Sequence, residues 1–184
     1  GANMVQQLAY ALAHTNEYLN HIHNTEALNI KFGESNNNAL KVNFNVSIGT
    51  NYFFEIAKLR ALRLLFQELV SEYNLNAECQ ITATPSKRNK TLYDYNTNML
   101  RTTTECMSAI LGGANTINNF AYDNIYHKNN EFASRIARNQ LLILKHESYF
   151  DEVTNASEGT YYIESLTNQL AEKALDLFKT IEAK

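Results

Sequence analysis

Residues 81–91 read Ile-Thr-Ala-Thr-Pro-Ser-Lys-Arg-Asn-Lys-Thr. A short β-like run stops at Pro85, the only proline of the chain, and Lys87, Arg88 and Lys90 then crowd a loop that leads into a helix signal. Cations beside hydroxyls can bind phosphate or carboxylate oxygens through charge-assisted hydrogen bonds. The same composition also describes a solvated turn. Arg135 and Arg138 stand three residues apart on a helical pattern, a spacing that either clamps an anion or ties the helix to a nearby carboxylate. His21 and His23 would share one side of an extended segment. With no carboxylate or third histidine in register, no metal site is expected there. Gly112-Gly113 lacks the spacing of a dinucleotide-binding loop and reads as a helix stop. Neither a G-x-S-x-G turn nor a credible Cys/His nucleophile pair occurs.

The elements that must position these residues follow from periodicity. Val5, Leu8, Leu12, Thr15 and Leu19 keep helical spacing, so a helix runs to about His21, with one further turn around Glu26 to Ile30. Asn36-Asn37-Asn38 reads as a turn. Lys41 to Val46 alternates and reads as a strand. A long helix follows from about Asn51 to Tyr73, with Ile56, Leu59, Leu62, Phe66, Leu69 and Tyr73 inward and Glu55, Lys58, Arg63 and Gln67 on its wet side. Cys79 to Ala83 is the second strand. Thr91 and Asp94 are the expected cap of a helix with Tyr95, Met99, Thr103, Cys106 and Ile110 on one face. Asn115 to Ile117 is a short third strand, and two helices, about 132–147 and 163–181, close the chain. Strands alternating with helices predict an α/β fold with parallel strands. In such folds the strand-to-helix loops form the functional face, and residues 86–90 are one of them.

Composition sets the outer limits. The chain has 184 residues, 45% hydrophobic and 19% charged, as in ordinary globular domains. No apolar run approaches the ~20 residues of a membrane span. A net charge of −3 argues against nucleic acid as the main partner. Cys79 and Cys106 lack metal-ligand spacing and are expected to be buried, inert thiols in a reduced, cytoplasmic setting. Gly1-Ala2-Asn3 carries no initiating methionine or signal peptide, so either a trimmed tag or a piece of a longer chain is expected.

Four longer stretches resemble the coenzyme B12-dependent acyl-CoA mutases, the methylmalonyl-CoA mutase family. "GANMVQQLAYALAHTNEYL" is similar to the helix that follows their catalytic histidine segment. "GTNYFFEIAKLRALRLLFQELV" resembles their G-x-N-F-F-x-E-x-A-K-L-R-A-x-R helix. "FASRIARNQLLILKHES" is similar to F-S-x-R-I-A-R-N-x-Q, and "EGTYYIESLTNQLAEKA" to G-S-Y-Y-x-E-x-L-T. The resemblance spans the chain in order. It implies the C-terminal part of a (β/α)8 TIM barrel, about the last half plus its tail. The cobalamin-binding domain and the catalytic tyrosine-histidine segment would lie outside this stretch.

The resemblance also implies what three strand-end positions once held. The family's P-R-L-S-F-F strand places an arginine and a serine on the acyl-CoA, and here those positions are Lys41 and Asn43. Its H-S-Q-T-S-G-W-S-L-T loop matches Thr82 to Thr91, so Thr84 replaces a glutamine and Arg88 a tryptophan. An asparagine and a glutamate that contact the adenosyl ribose match Phe120 and Asn124. Departures at three loops, with the scaffold helices retained, imply a non-catalytic small subunit. Such a subunit pairs as a heterodimer with a large catalytic subunit that carries adenosylcobalamin, and this stretch would bind no cofactor. The loop cations are then expected to be solvated or to contact the assembly. An alternative is a catalytic mutase with a different acyl preference, in which Lys41, Thr84 and Arg88 touch substrate. An independent binding domain is disfavoured, because three strands are expected to leave apolar faces uncovered and to drive self-association.

Overall fold

The computed structural model describes residues 1–32, 39–128 and 130–183. The turn expected at Asn36-Asn38 lies outside them. Helix α1 spans Met4–Asn24 and α2 Glu26–Phe32. Strand β1 (Leu40–Ile48) leads into α3 (Tyr52–Glu72), and β2 (Ala77–Pro85) into α4 (Thr97–Leu111). Strand β3 is Thr116–Ile117, followed by α5 (Glu131–His146) and α6 (Tyr161–Glu182).

Asn3 starts α1 with a capping box: its side chain accepts from the Gln6 amide at 2.9 Å, and the Gln6 side chain accepts from the Asn3 amide at 3.0 Å. The helix runs through both His21 and His23. At ~100° per residue the two imidazoles diverge, so the expected extended segment with paired histidines does not exist. His23 instead meets the Tyr73 ring edge-on at 5.7 Å. Helix α4 stops at Gly112-Gly113 as expected, with Gly113 at φ +82°. Its start differs from the expectation. The helix begins at Thr97, whose amide and hydroxyl both donate to the Asp94 carbonyl, so neither Thr91 nor the Asp94 side chain caps it.

The sheet is parallel with order β1-β2-β3, as the alternation of elements requires. The strands pair in one register, with Leu40 opposite Ala77 and Ile48 opposite Pro85. One face, carrying Phe44, Ile48, Cys79, Ile81 and Ala83, is buried. Helix α3 packs between the sheet and α6, with α1 and α4 beside it. Leu59, Leu62 and Phe66 on α3 join Leu8, Leu12 and Leu19 on α1 and Leu170 and Ala174 on α6 in one core. The other face, Lys41, Asn43, Asn45 and Ser47 with Glu78, Gln80, Thr82 and Thr84, is exposed or half-buried. It is polar, which corrects the expectation of an uncovered apolar sheet face. Antiparallel sheets commonly solvate one face; a parallel sheet that does so carries polar residues there for the same reason of hydration.

Candidate active-site cleft

Each strand delivers its functional side chains to the sheet's carboxyl edge. There Thr84, Ser86, Lys87, Arg88 and Phe120 join Asn45 and Ser47 around an open cleft of about 900 Å³. Thr84 lies opposite Ser47 in the register, so period-2 alternation sends both to the polar face at the cleft mouth. Lys41 and Asn43 sit lower on that face, opposite Glu78 and Gln80. Asn43 Oδ1 accepts from the Thr82 hydroxyl at 3.1 Å. Phe120 reaches the cleft from the loop after β3 and also lines, with Asn124, a second cavity of about 400 Å³. The geometry thus joins Thr84 and Phe120 at the cleft and Phe120 and Asn124 at the second cavity, and leaves Lys41 and Asn43 apart from both.

Two buried ion pairs under this edge escaped the sequence reading. Glu55 and Lys58, expected on the wet side of α3, are 3% and 1% exposed and pair with each other. Lys58 Nζ also donates to the Ser47 carbonyl at 2.7 Å, which ties α3 to the end of β1. Burial lowers the Lys58 pKa, and the Glu55 carboxylate offsets part of that shift. A Cβ at Gly49 would stand 3.1 Å from Glu55 Oε1, so glycine lets the β1–α3 turn pass this carboxylate.

Lys90 corrects the expectation of solvated loop cations. Its Nζ lies 2.6 Å from Glu105 Oε2, with both side chains 0% exposed. Asn89 donates to the other Glu105 oxygen. Burial raises the Glu105 pKa and lowers that of Lys90, and each is partly offset by the other's charge. Lys87 and Lys90 both stand over the Phe120 ring, at 5.7 and 5.8 Å from its centroid. Lys87 and Arg88 remain exposed, and among the described residues neither pairs with a carboxylate.

Of the expected α4 stripe Cys106 is buried, Met99, Thr103 and Ile110 are half-buried and Tyr95 is 42% exposed; the buried face also includes Asn98, Thr102, Glu105, Ser108 and Ala109. The polar members are buried because each has a partner. Asn98 bonds the Thr91 amide and carbonyl. Gln140 of α5 donates to the Met99 carbonyl at 2.6 Å and to the Thr103 hydroxyl at 2.7 Å. In the second cavity, buried Asp123 accepts from Asn130 at 2.7 Å. Arg135 and Arg138 are exposed and, among the described residues, bind no carboxylate; Arg135 lies over the Phe132 ring. Cys79 and Cys106 are free and buried, as expected, their pKa values pushed up by burial to about 11 and about 12. Among the described residues no cluster of His, Cys, Asp or Glu could hold a metal ion, and no helix is long and apolar enough to cross a membrane.

The methylmalonyl-CoA mutase family model matches residues 1–184. The chain belongs to the methylmalonyl-CoA mutase family. It is 44% identical over 187 residues to the methylmalonyl-CoA mutase small subunit of Porphyromonas gingivalis, covering 99% of this chain and 29% of that protein. To the methylmalonyl-CoA mutase of Rhizobium meliloti it is 38% identical over 191 residues, covering 100% of this chain and 25% of that protein. The large subunit of the Porphyromonas gingivalis mutase is 34% identical over 148 residues, covering 78% of this chain and 21% of that protein. The chain therefore spans less than a third of the relatives it matches, and it is a partial domain of an isomerase family. Among the described residues of this mutase-family chain, the cleft offers two cations without a carboxylate partner, Lys87 and Arg88, and neutral hydroxyl and amide groups. Glu55, which lines the cleft, and Glu105, behind the loop, are each neutralised by a lysine.

Proposed function

We propose that this chain is part of the small, non-catalytic subunit of an adenosylcobalamin-dependent methylmalonyl-CoA mutase. Its elements would form about the last half of a (β/α)8 barrel and its tail. The subunit would pair with and stabilise a large subunit that interconverts methylmalonyl-CoA and succinyl-CoA in the cytoplasm. Two relatives from one organism, named small and large subunit, support a two-subunit arrangement. The polar, uncovered sheet face, turned toward what would be a barrel interior, supports the barrel placement.

The observation that carries the non-catalytic role is the state of Phe120 and Asn124. They take the positions of the family's ribose-binding asparagine and glutamate. Phe120 sits beneath Lys87 and Lys90 and, with Asn124, lines the cavity of about 400 Å³. An aromatic ring stands where the family has an amide, and neither residue supplies a carboxylate. These residues do not fit an adenosyl group. Thr84 likewise offers a short hydroxyl where the family carries a longer amide. Lys41 keeps a positive charge but lacks the planar fork that holds a carboxylate or phosphate through two hydrogen bonds.

The test uses the full-length parent protein with and without a candidate large subunit. Complex mass and methylmalonyl-CoA isomerisation are measured with added adenosylcobalamin. Activity only in a 1:1 complex is expected. Turnover by the parent protein alone would overturn the reading and place Lys41, Thr84 and Arg88 in a working site with altered acyl preference.

A further inference from the structure

We infer that the groove between α3 and α6 is a docking surface for a basic amphipathic helix of a partner protein. The groove holds about 570 Å³ and shares no lining residue with the strand-end cleft. Its apolar floor is the first observation. Leu12, Leu65 and Ala171 are buried at the bottom, and the small Ala171 side chain leaves the gap between the two helices unfilled. Leu64 of α3 and Leu175 of α6 line the same groove and are 42% and 36% exposed. A continuous apolar strip bounded by charge marks a surface that binds another chain. From Asn168 to Lys179, both in the lining, α6 rises about 16 Å at ~1.5 Å per residue, room for about three turns of a bound helix.

The second observation is the charge of the rim. Glu68 and Glu72, one turn apart on α3, and Glu172 of α6 line the groove against a single ammonium, Lys179. Among the described residues none of these three carboxylates pairs with a cation. Unanswered negative charge on both walls selects an occupant whose apolar stripe is flanked by lysine or arginine. It also repels an anionic membrane surface. The walls are fixed beforehand, because α6 is held at both ends: Glu164 pairs with Arg60 at 2.5 Å, and Glu182 accepts from Asn16 at 2.7 Å. A groove formed before its partner arrives binds at a lower entropy cost. The inference uses no mutase chemistry and is independent of the small-subunit reading.

The test is fluorescence anisotropy of the full-length parent protein with a labelled, helix-stapled leucine–lysine peptide of about three turns. Saturable 1:1 binding is expected, weakening as salt rises. Glu68→Lys and Glu172→Lys should each weaken it about three- to tenfold, and Leu175→Asp by about tenfold or more. Glu131→Lys makes the same charge change on α5 and should leave the affinity unchanged. Circular dichroism checks that the variants remain folded; Glu68→Lys, at an exposed position, decides the matter should Leu175→Asp not fold. No saturable binding, equal binding of the same peptide with glutamate for lysine, or an equal loss in Glu131→Lys overturns the inference. Sedimentation that shows a wild-type dimer and a Leu175→Asp monomer assigns the groove to a second copy and overturns the partner. A photo-crosslinker in place of Leu64 that reacts only within its own polypeptide overturns it too, since the chain then covers its own groove. Mutase assembly is read separately, so either reading can fail without the other.

Discussion

Replacing Lys90 by methionine tests the buried clip most directly. Lys90 and Glu105 are 2.6 Å apart, and neither side chain is exposed. The variant keeps most of the side-chain volume but leaves the Glu105 carboxylate buried with Asn89 as its remaining partner. Breaking one side of such a pair costs about 3–5 kcal/mol, because an uncompensated charge stays out of water. For a chain of this size each kcal/mol lowers Tm by about 2–4 °C. Lys90→Met should therefore melt at least about 6 °C below wild type. Glu105→Leu alone should be similarly damaging, since it strands the ammonium. The double variant Lys90→Met/Glu105→Leu should recover most of the loss, because an apolar replacement of similar size is often neutral or better. Urea unfolding of the 184-residue chain, followed by circular dichroism, gives the coupling energy.

The same variant carries a pH sign. Glu105 already has a raised pKa from burial, and losing Lys90 raises it further. Above the ordinary value of 4.5 the folded state then holds more protons than the unfolded state. Stability is fullest below that value and falls as pH rises through the folded pKa. The fall should be steeper in Lys90→Met than in wild type. A Lys90→Met protein within about 1 kcal/mol of wild type, or a double variant as unstable as the sum of the singles, would refute the argument.

Two further outcomes follow from burial and bonding. With thiol pKa values near about 11 and about 12, Cys79 and Cys106 should resist a maleimide at pH 8 in the native protein and react only after urea unfolding; rapid native labelling, read by mass, would contradict their burial. Gln140→Leu removes the amide that joins α5 to the Met99 carbonyl and the Thr103 hydroxyl, so α5 should lose about 1–3 kcal/mol of local stability. Hydrogen exchange along α5 would show it, and unchanged protection would rule out the joint.

Where apolar spacing controlled burial, the chain was legible. Leu8, Leu12 and Leu19 of α1 and Leu59, Leu62 and Phe66 of α3 are buried as their periodicity requires. Strand alternation placed Lys41, Asn43 and Thr84 on one side of the sheet, and the element order required parallel pairing. Periodicity failed where a polar side chain is buried through a partner distant in sequence. Glu55 and Lys58 read as a hydrated i, i+3 pair because nothing local reports that Ser47 and Gln7 will enclose Lys58. The buried face of helix α4 is wider than its apolar spacing shows, because Asn98, Thr102 and Glu105 meet Thr91, Gln140 and Lys90 only after folding.

The sequence by itself determined the helices, the parallel order of strands and, through four extended motifs, the mutase family. These rest on contacts near in the chain or on patterns spread along it. Tertiary structure alone decided which loop cations are available to a ligand. Lys87, Arg88 and Lys90 are indistinguishable as a run of charges. Only the position of Glu105, fifteen residues beyond Lys90, draws one of them into the interior and leaves the other two at the cleft. The reason is electrostatic: a lysine enters a dry interior where a carboxylate already waits, and which lysine does so is fixed by the fold.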